Sequence, residues 1–349
     1  MIDIKSMTVD ELRQELKKLN LPSFKAMHIF KWLLVRGVTS FDEMTDVSKA
    51  HRALLEKNFE IYNCLIEKKS VSKLDSTVKY LFRLNDGEFI ESVLMKYKYG
   101  YSLCVSSQVG CRMGCRFCAS TLNGVVRNLT ASEIIGQIHS AQNDMNIRVS
   151  HVVMMGMGEP LDNYDNVLRF LTLASCNDGL CLSMRNISLS TCGIVDRMYD
   201  LMQEKLQLTL SVSLHAPFDD LRTSLMPVNK KYNVGQLIKA CRDYVKHTSR
   251  RISFEYSMIK DVNDTDECAK QLAYLLKGML CHVNLIPIND VRENGFEKSQ
   301  KERLERFKSI LETSGLNVTV RRSLGGDIEA SCGQLRNKHL SNKGKEADS

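Results

Sequence analysis

The sequence predicts an α/β protein whose main part is a full or partial (β/α) barrel, and three features carry that expectation. Beyond residue 100, short apolar runs of strand length alternate with segments of helical period, a pattern that builds a parallel sheet. The strand runs fall at 102–106, 151–155, 186–190, 208–214, 252–258, 282–286 and 318–322. Helices fit between them at 131–143, 234–246, 268–277 and 301–314, the first opened by the capping box Thr130-x-x-Glu133. Small and polar residues also gather just after the strands, where barrels place their chemistry.

The chain before residue 100 reads differently. Thr8 and Glu11 form a capping box at the start of a helix with Leu12, Leu16 and Leu19 on one face. A second helix follows Pro22, through Met27, Phe30, Leu33 and Leu34 to Gly37, and a third is expected over 40–59. From residue 76 the period falls to two. Val78, Tyr80 and Phe82, then Phe89, Glu91 and Val93, flank Asn85-Asp86-Gly87, which marks a β-hairpin. The expected organisation is an N-terminal helical accessory domain (1–65), a β-hairpin connector (66–100), the barrel (101–336) and a polar tail (337–349).

Composition narrows the function. At 349 residues, 43% hydrophobic and 26% charged, the chain has an ordinary globular balance. No apolar run approaches the roughly 18 residues of a membrane span. Residues 1–19 lack a secretory h-region, so a cytoplasmic location is expected. Twelve cysteines without an export signal argue for a reducing compartment rather than a disulfide framework. A net charge of +7, with pairs at Lys68-Lys69, Lys230-Lys231, Arg250-Arg251 and Arg321-Arg322, suits a polyanionic partner.

The motif that organises the chain is Cys111-Arg-Met-Gly-Cys115-Arg-Phe-Cys118, directly after the first barrel strand. Closed zinc and iron-sulfur sites take four protein ligands, so three thiols leave one position for a substrate or cofactor. No second Cys-x-x-Cys pair occurs to complete a zinc ribbon. Other strand-end groups are Gly156-Met157-Gly158-Glu159-Pro160, Ser190, Ser213-Leu214-His215 and Asn289. Cys332, in Ala330-Ser331-Cys332-Gly333-Gln334-Leu335, is flanked by small residues that let a thiol approach a substrate closely. Cys64, Cys176, Cys181, Cys192, Cys241, Cys268 and Cys281 lie in ordinary segments and are given no role.

The thiol spacing, with Phe117 before the last cysteine, resembles the motif of the radical S-adenosylmethionine (SAM) enzymes. Six further segments resemble one branch, the radical methyltransferases of the RlmN type: 102–111, 127–130, 156–163, 211–216, 225–230 and 330–335. The resemblance implies a partial barrel of the radical SAM type. It implies a 4Fe-4S cluster on Cys111, Cys115 and Cys118, and SAM bound by Gly158, Glu159, Ser190, Ser213, Leu214, His215 and Asn289. It further implies methylation of carbon 2 of an adenosine in 23S rRNA and in tRNA, with two SAM molecules consumed per turnover. Cys332 would carry the methyl group as S-methylcysteine, Cys104 would resolve the product and form a disulfide with Cys332, and Glu91 would accept the carbon 2 proton. Electron supply by a flavodoxin or ferredoxin and a monomeric state belong to the same expectation. A radical route answers a chemical difficulty, because carbon 2 of adenine is electrophilic and cannot attack a sulfonium methyl group. The nearest rival is the related Cfr-type enzyme, which methylates carbon 8 of the same rRNA adenosine; Glu159-Pro160-Leu161-Asp162-Asn163 resembles the carbon 2 group. A non-catalytic RNA-binding protein with a structural metal is the rival from another class, and it leaves Cys104 and Cys332 without a purpose.

Overall fold

The computed structural model describes residues 1–288 and 295–330. Its centre is a ten-stranded sheet, β1 (Leu65–Val71), β2 (Val78–Arg83), β3 (Phe89–Tyr97), β4 (Gly100–Cys104), β5 (Val149–Met154), β6 (Ile187–Thr191), β7 (Thr209–Ser213), β8 (Ile252–Met258), β9 (Cys281–Pro287) and β10 (Val318–Val320). Strand order across the sheet follows the chain without a break. The first four strands pair antiparallel, and β4 to β10 pair parallel. Each crossover adds the next strand on the same side, which curls a sheet into a partial barrel instead of a doubly wound slab.

Helices complete the units: α4 (Ala131–Met145), α5 (Tyr164–Ser175), α6 (Val195–Gln203), α7 (Asp219–Leu225), α8 (Val234–Thr248), α9 (Asp266–Leu276) and α10 (Lys301–Thr313) follow α1 (Val9–Lys18), α2 (Lys25–Leu34) and α3 (Lys49–Asn58). The capping boxes at Thr8 and Thr130 are both formed, each hydroxyl accepting from the backbone amide three residues on. One hydrophobic core joins the N-terminal helices to the barrel, from Leu12, Phe30 and Leu33 to Ile134, Ile138 and Phe170. Glu11 clasps Arg169 of α5 through two contacts of 2.7 and 2.8 Å, and Asp3 accepts from Ser132 at the start of α4.

Two expectations are corrected. The helix foreseen over 40–59 is two pieces, because Ser40 and Glu43 close only a short 3-10 turn at Phe41–Glu43 and Ser48 caps a new helix. Between them Met44 and Val47 are buried, and Asp46 accepts from the Trp32 indole at 2.6 Å, contacts that a continuous helix would break. The hairpin has a third strand, β1, which lacks alternation because it is an edge strand with six of its seven residues exposed. These three strands continue the barrel sheet.

His139 of α4 fastens the end of α2, its Nε2 donating to the Leu34 carbonyl at 2.9 Å while Nδ1 has no partner among the described residues. Burial, aided by the Lys5 ammonium, pushes its pKa down to about 3. The folded protein keeps the ring neutral, whereas the unfolded chain takes up a proton below about pH 6.5. The stability this group contributes is therefore complete above about pH 6.5 and falls by about 1.4 kcal/mol per unit below it, towards pH 3. Urea unfolding at pH 7.5 and 5.5 should show this loss, and His139→Gln should reduce it; an equal pH dependence in the variant would contradict the assignment.

Candidate active site

The cysteine motif begins where the chain leaves β4. Gln108–Gly110 pairs with Val125–Asn128 in a small antiparallel ribbon, and the Cys111 amide donates to the Gly124 carbonyl at 2.8 Å. Gly110 has φ 76°, and a Cβ there would lie 2.0 Å from the Gly124 oxygen. Only glycine allows this approach. The loop then turns at Gly114, with φ 71°, and closes on itself: Cys118 N donates to Cys115 O, and the Thr121 hydroxyl reaches both Cys115 and Cys118 carbonyls. Cys111 and Cys115 are buried and Cys118 half-buried. Burial pushes the Cys111 thiol up to about 12, and carries Cys115 well above its ordinary range.

All three thiols line one pocket with Gly156, Gly158, Glu159, Ser190, Ser213 and His215. Strand-end residues separated by up to a hundred positions thus converge, as expected. Gly158 has φ 102°, and a Cβ there would meet Gln108 Cβ at 2.6 Å and its amide nitrogen at 2.7 Å. The Glu159 carboxylate is buried, accepting from the amides of Cys192 at 2.7 Å and Leu161 at 3.0 Å. Burial raises its pKa, and those amides with the Thr191 hydroxyl oppose the shift. His215 holds a left-handed φ of 55°; its Nδ1 accepts from Ser257 N at 2.9 Å, so the neutral ring carries its proton on Nε2. Burial and then the charge of Arg222 push its pKa down to about 3. Phe117 packs edge-on against this ring, with centroids 4.8 Å apart.

Leu214 is placed differently from its neighbours. Its side chain is fully buried and does not line the pocket; its carbonyl accepts from Arg222. Asn289 and Cys332 lie outside the described residues.

Cys104 and Glu91 lie off the pocket wall but share its inner face. Cys104 ends β4, opposite Val93 of β3 and Val153 of β5. Side chains alternate along a strand and match across it, so Glu91, Val93, Cys104, Val153 and Met155 point to one side. Met155 lines the pocket. Glu91 is buried and forms an ion pair with Lys79 Nζ at 3.1 Å. Lys79 also donates to the Glu329 carbonyl at 3.1 Å. The segment holding Glu329 is tied to the hairpin at three more points: Asp327 accepts from Ser72 Oγ at 2.7 Å and Lys73 N at 2.9 Å, and Gly325 N donates to Asp75 at 2.9 Å. Neither Lys79 nor Asp327 was singled out from sequence. Pocket residues also missed are Cys192, Glu255, Ser257 and Arg321, although each stands at a strand end or inside a strand.

The donor set fits a cluster with SAM. Among the described residues no three metal-binding side chains gather closely enough to hold a single ion. The thiols instead share one pocket with carboxylate, hydroxyl and imidazole groups, suited to an amino acid and a ribose.

Fold and site define the class, the radical SAM enzymes, and the model of the Radical SAM superfamily matches residues 105–272. The crystal structure of a radical SAM methyltransferase from Sphaerobacter thermophilus superposes with a TM-score of 0.93 at 42% identity, covering 96% of this chain and 99% of that one. A second model, the ribosomal RNA large subunit methyltransferase N-terminal domain, matches residues 2–61. Two proteins named "Probable dual-specificity RNA methyltransferase RlmN" are similar over nearly full length. That of Clostridium novyi (strain NT) is 49% identical over 98% of this chain and 100% of its own, and that of Lachnospira eligens is 52% identical over 97% of each. The chain belongs to the RlmN family and is a SAM-dependent radical methyltransferase that uses a 4Fe-4S cluster.

The glycine requirement at the pocket is open to test. Gly158→Ala and Gly87→Ala both place a side chain at positive φ, but a Cβ on Gly87 meets nothing within 4 Å among the described residues. Each should lose about 1 kcal/mol or more in urea unfolding, with Gly158→Ala losing clearly more. Equal losses would mean that the contact with Gln108 is not a constraint.

Proposed function

We propose that the protein methylates carbon 2 of an adenosine in 23S rRNA and in tRNA, with Cys332 as methyl carrier and Cys104 as resolving thiol. What supports this reading most is the shared inner face: the Cys104 thiol and the buried Glu91 carboxylate stand beside the pocket lined by Cys111, Cys115 and Cys118, in a chain about half identical to relatives named for dual-specificity RNA methylation. Cys332 is three residues beyond Glu329, at most about 11 Å of extended chain. Glu329 is bonded to the same lysine as Glu91.

In this reading Cys111, Cys115 and Cys118 hold the cluster, and Gly158, Glu159, Ser190, Ser213, Leu214, His215 and Asn289 hold SAM. When bound, that pair supplies a radical able to take hydrogen from a methyl group. The protein does the rest. Glu91, kept beside an ammonium, accepts the proton leaving carbon 2. Cys104 sulfur bonds to Cys332 sulfur as the bond from Cys332 to the product carbon breaks; that carbon takes up the proton Cys104 gives up, and the one electron left over would return to the oxidised cluster. The disulfide that remains needs two electrons and two protons to return to thiols. The target base must leave its stack to reach this face, and the helical unit 1–65 with the basic surface would hold the RNA. The hairpin 66–100, barrel 101–336 and tail 337–349 complete the proposed division. A flavodoxin or ferredoxin as reductant, two SAM per turnover, a monomeric state and a cytoplasmic setting belong to the same proposal. No described helix is long and apolar enough to cross a membrane.

Incubation of the anaerobically reconstituted enzyme with 23S rRNA fragments and tRNA, then nuclease digestion and mass spectrometry against standards, should yield 2-methyladenosine from both. A yield of 8-methyladenosine would replace this reading with the Cfr-type one, and no methylated base would remove both. Cys104→Ala should leave protein covalently attached to RNA, whereas Cys332→Ala should give neither product nor adduct.

A further inference from the structure

The motif segment 225–230 and the helix before it take no part in the chemistry above. They contain Arg222, whose side chain is completely shielded, at 0% exposure. Its hydrogen bonds go to carbonyls and one amide: Nε to Leu214 O at 3.1 Å, one terminal nitrogen to Asn229 Oδ1 at 3.0 Å, the other to Cys192 O at 2.6 Å and Ser213 O at 3.2 Å. Among the described residues no carboxylate pairs with it, and a guanidinium taken out of water in this way is costly to keep. Those carbonyls belong to the loops after β6 and β7, both of which line the pocket. One planar fork therefore spans two pocket loops. Asn229 is fixed in turn, its amide donating to Asp219 O, Asp219 Oδ1 and Thr223 Oγ1 at 2.9–3.1 Å.

The same segment holds the cysteine loop. Arg116, between Cys115 and Cys118, donates its amide to Leu225 O at 2.9 Å. Cys115, Cys192, Leu225 and Met226 pack in one apolar cluster, separate from the main core. The guanidinium reaches this cluster directly, since the Cys192 whose carbonyl it bonds at 2.6 Å packs there with Cys115.

We propose that Arg222 is a positioning residue with two separable actions: its hydrogen bonds hold the Cys192 and Ser213–Leu214 loops at the spacing SAM requires, and its buried charge raises the reduction potential of the cluster. This rests on the reading that the pocket holds the cluster and SAM. A fixed positive charge in a shielded site favours the more negative, reduced cluster. A lysine keeps that charge but cannot reach four acceptors at once, because it lacks the planar fork.

The test uses full-length protein reconstituted anaerobically, with iron content measured, redox titration followed by the paramagnetic signal of the reduced cluster, and SAM affinity by equilibrium dialysis. Arg222→Gln should lower the reduced-to-oxidised ratio at the wild-type midpoint about tenfold, equivalent to about 59 mV for one electron. Arg222→Lys should keep the midpoint near wild type and weaken SAM binding about tenfold. An unmoved midpoint in Arg222→Gln overturns the charge role, and unchanged SAM affinity in Arg222→Lys overturns the loop role. If Arg222→Gln takes up no cluster, Asn229→Asp sets a carboxylate against the guanidinium and must lower the midpoint; an unmoved midpoint there also overturns the charge role. Wild-type protein that takes up neither cluster nor SAM would defeat the underlying reading of the pocket, a result distinct from normal wild type with indifferent variants.

Discussion

The structure depends on how the chain from Cys104 to Cys111 leaves the sheet inside the protein. A strand that ends in the interior exposes peptide groups to an apolar surrounding, and each unpaired one costs about 1–3 kcal/mol. Here they find partners in side chains. Gln137 of α4 accepts from Ser106 N at 2.8 Å and donates to Ser106 O at 3.0 Å, doing for one residue what a neighbouring strand would do. Asn163 donates to Ser107 O and Leu129 O, and Met157 O accepts from Ser107 N and Gln108 N. The Gly156–Glu159 loop is docked on this path, with the Glu159 amide donating to Gln108 Oε1 at 2.9 Å. The cysteine loop and the glycine-rich loop are thus set relative to one another before any cofactor arrives.

A second constraint is lateral. The sheet has two edges, β1 and β10, and an open edge offers unpaired backbone to other chains. The segment after β10 crosses to the turn between β1 and β2, where Asp327, Gly325 and Glu329 meet Ser72, Lys73, Asp75 and Lys79. Backbone donors and hydroxyls hold Asp75 and Asp327 below the ordinary carboxylate range against the burial that opposes them. The fold and the proposed chemistry meet at Lys79, which bonds both this segment and Glu91. Structure and the proposed catalysis would use the same contact.

What was legible in the sequence follows the strength of the local signal. The β8 strand was foreseen at its observed ends because Ile252, Phe254, Tyr256 and Met258 alternate with polar residues between clear breaks, and β4, β6 and β7 within a residue or two. Residues marked by a glycine turn or a strand end, such as Gly158, Glu159 and Ser190, were found together in the pocket. Other members gave no local sign. Cys192 is an unremarked thiol in sequence, and only the register of β6 puts it in the pocket two residues after Ser190. Glu255 reads as one of three polar residues on the polar face of its strand, while the fold turns it inward to accept from Ser253 and Asn284. Arg222 carries no local sign in the sequence and is the largest fully buried side chain among the described residues. The helix foreseen over 40–59 failed for the converse reason, since its periodicity was sound but Trp32, from a separate helix, claimed Asp46. Long-range partners decide such positions.

The claim on which the proposed chemistry turns is that Cys332 carries the methyl group. Peptide mass spectrometry of the anaerobically produced, cluster-loaded protein tests it directly, by the mass of the fragment containing Cys332. The account predicts one additional methyl group on that cysteine when SAM is present. An unmodified Cys332 in protein with a full cluster and ample SAM would contradict it, and would leave the pocket as a radical SAM site serving some other reaction.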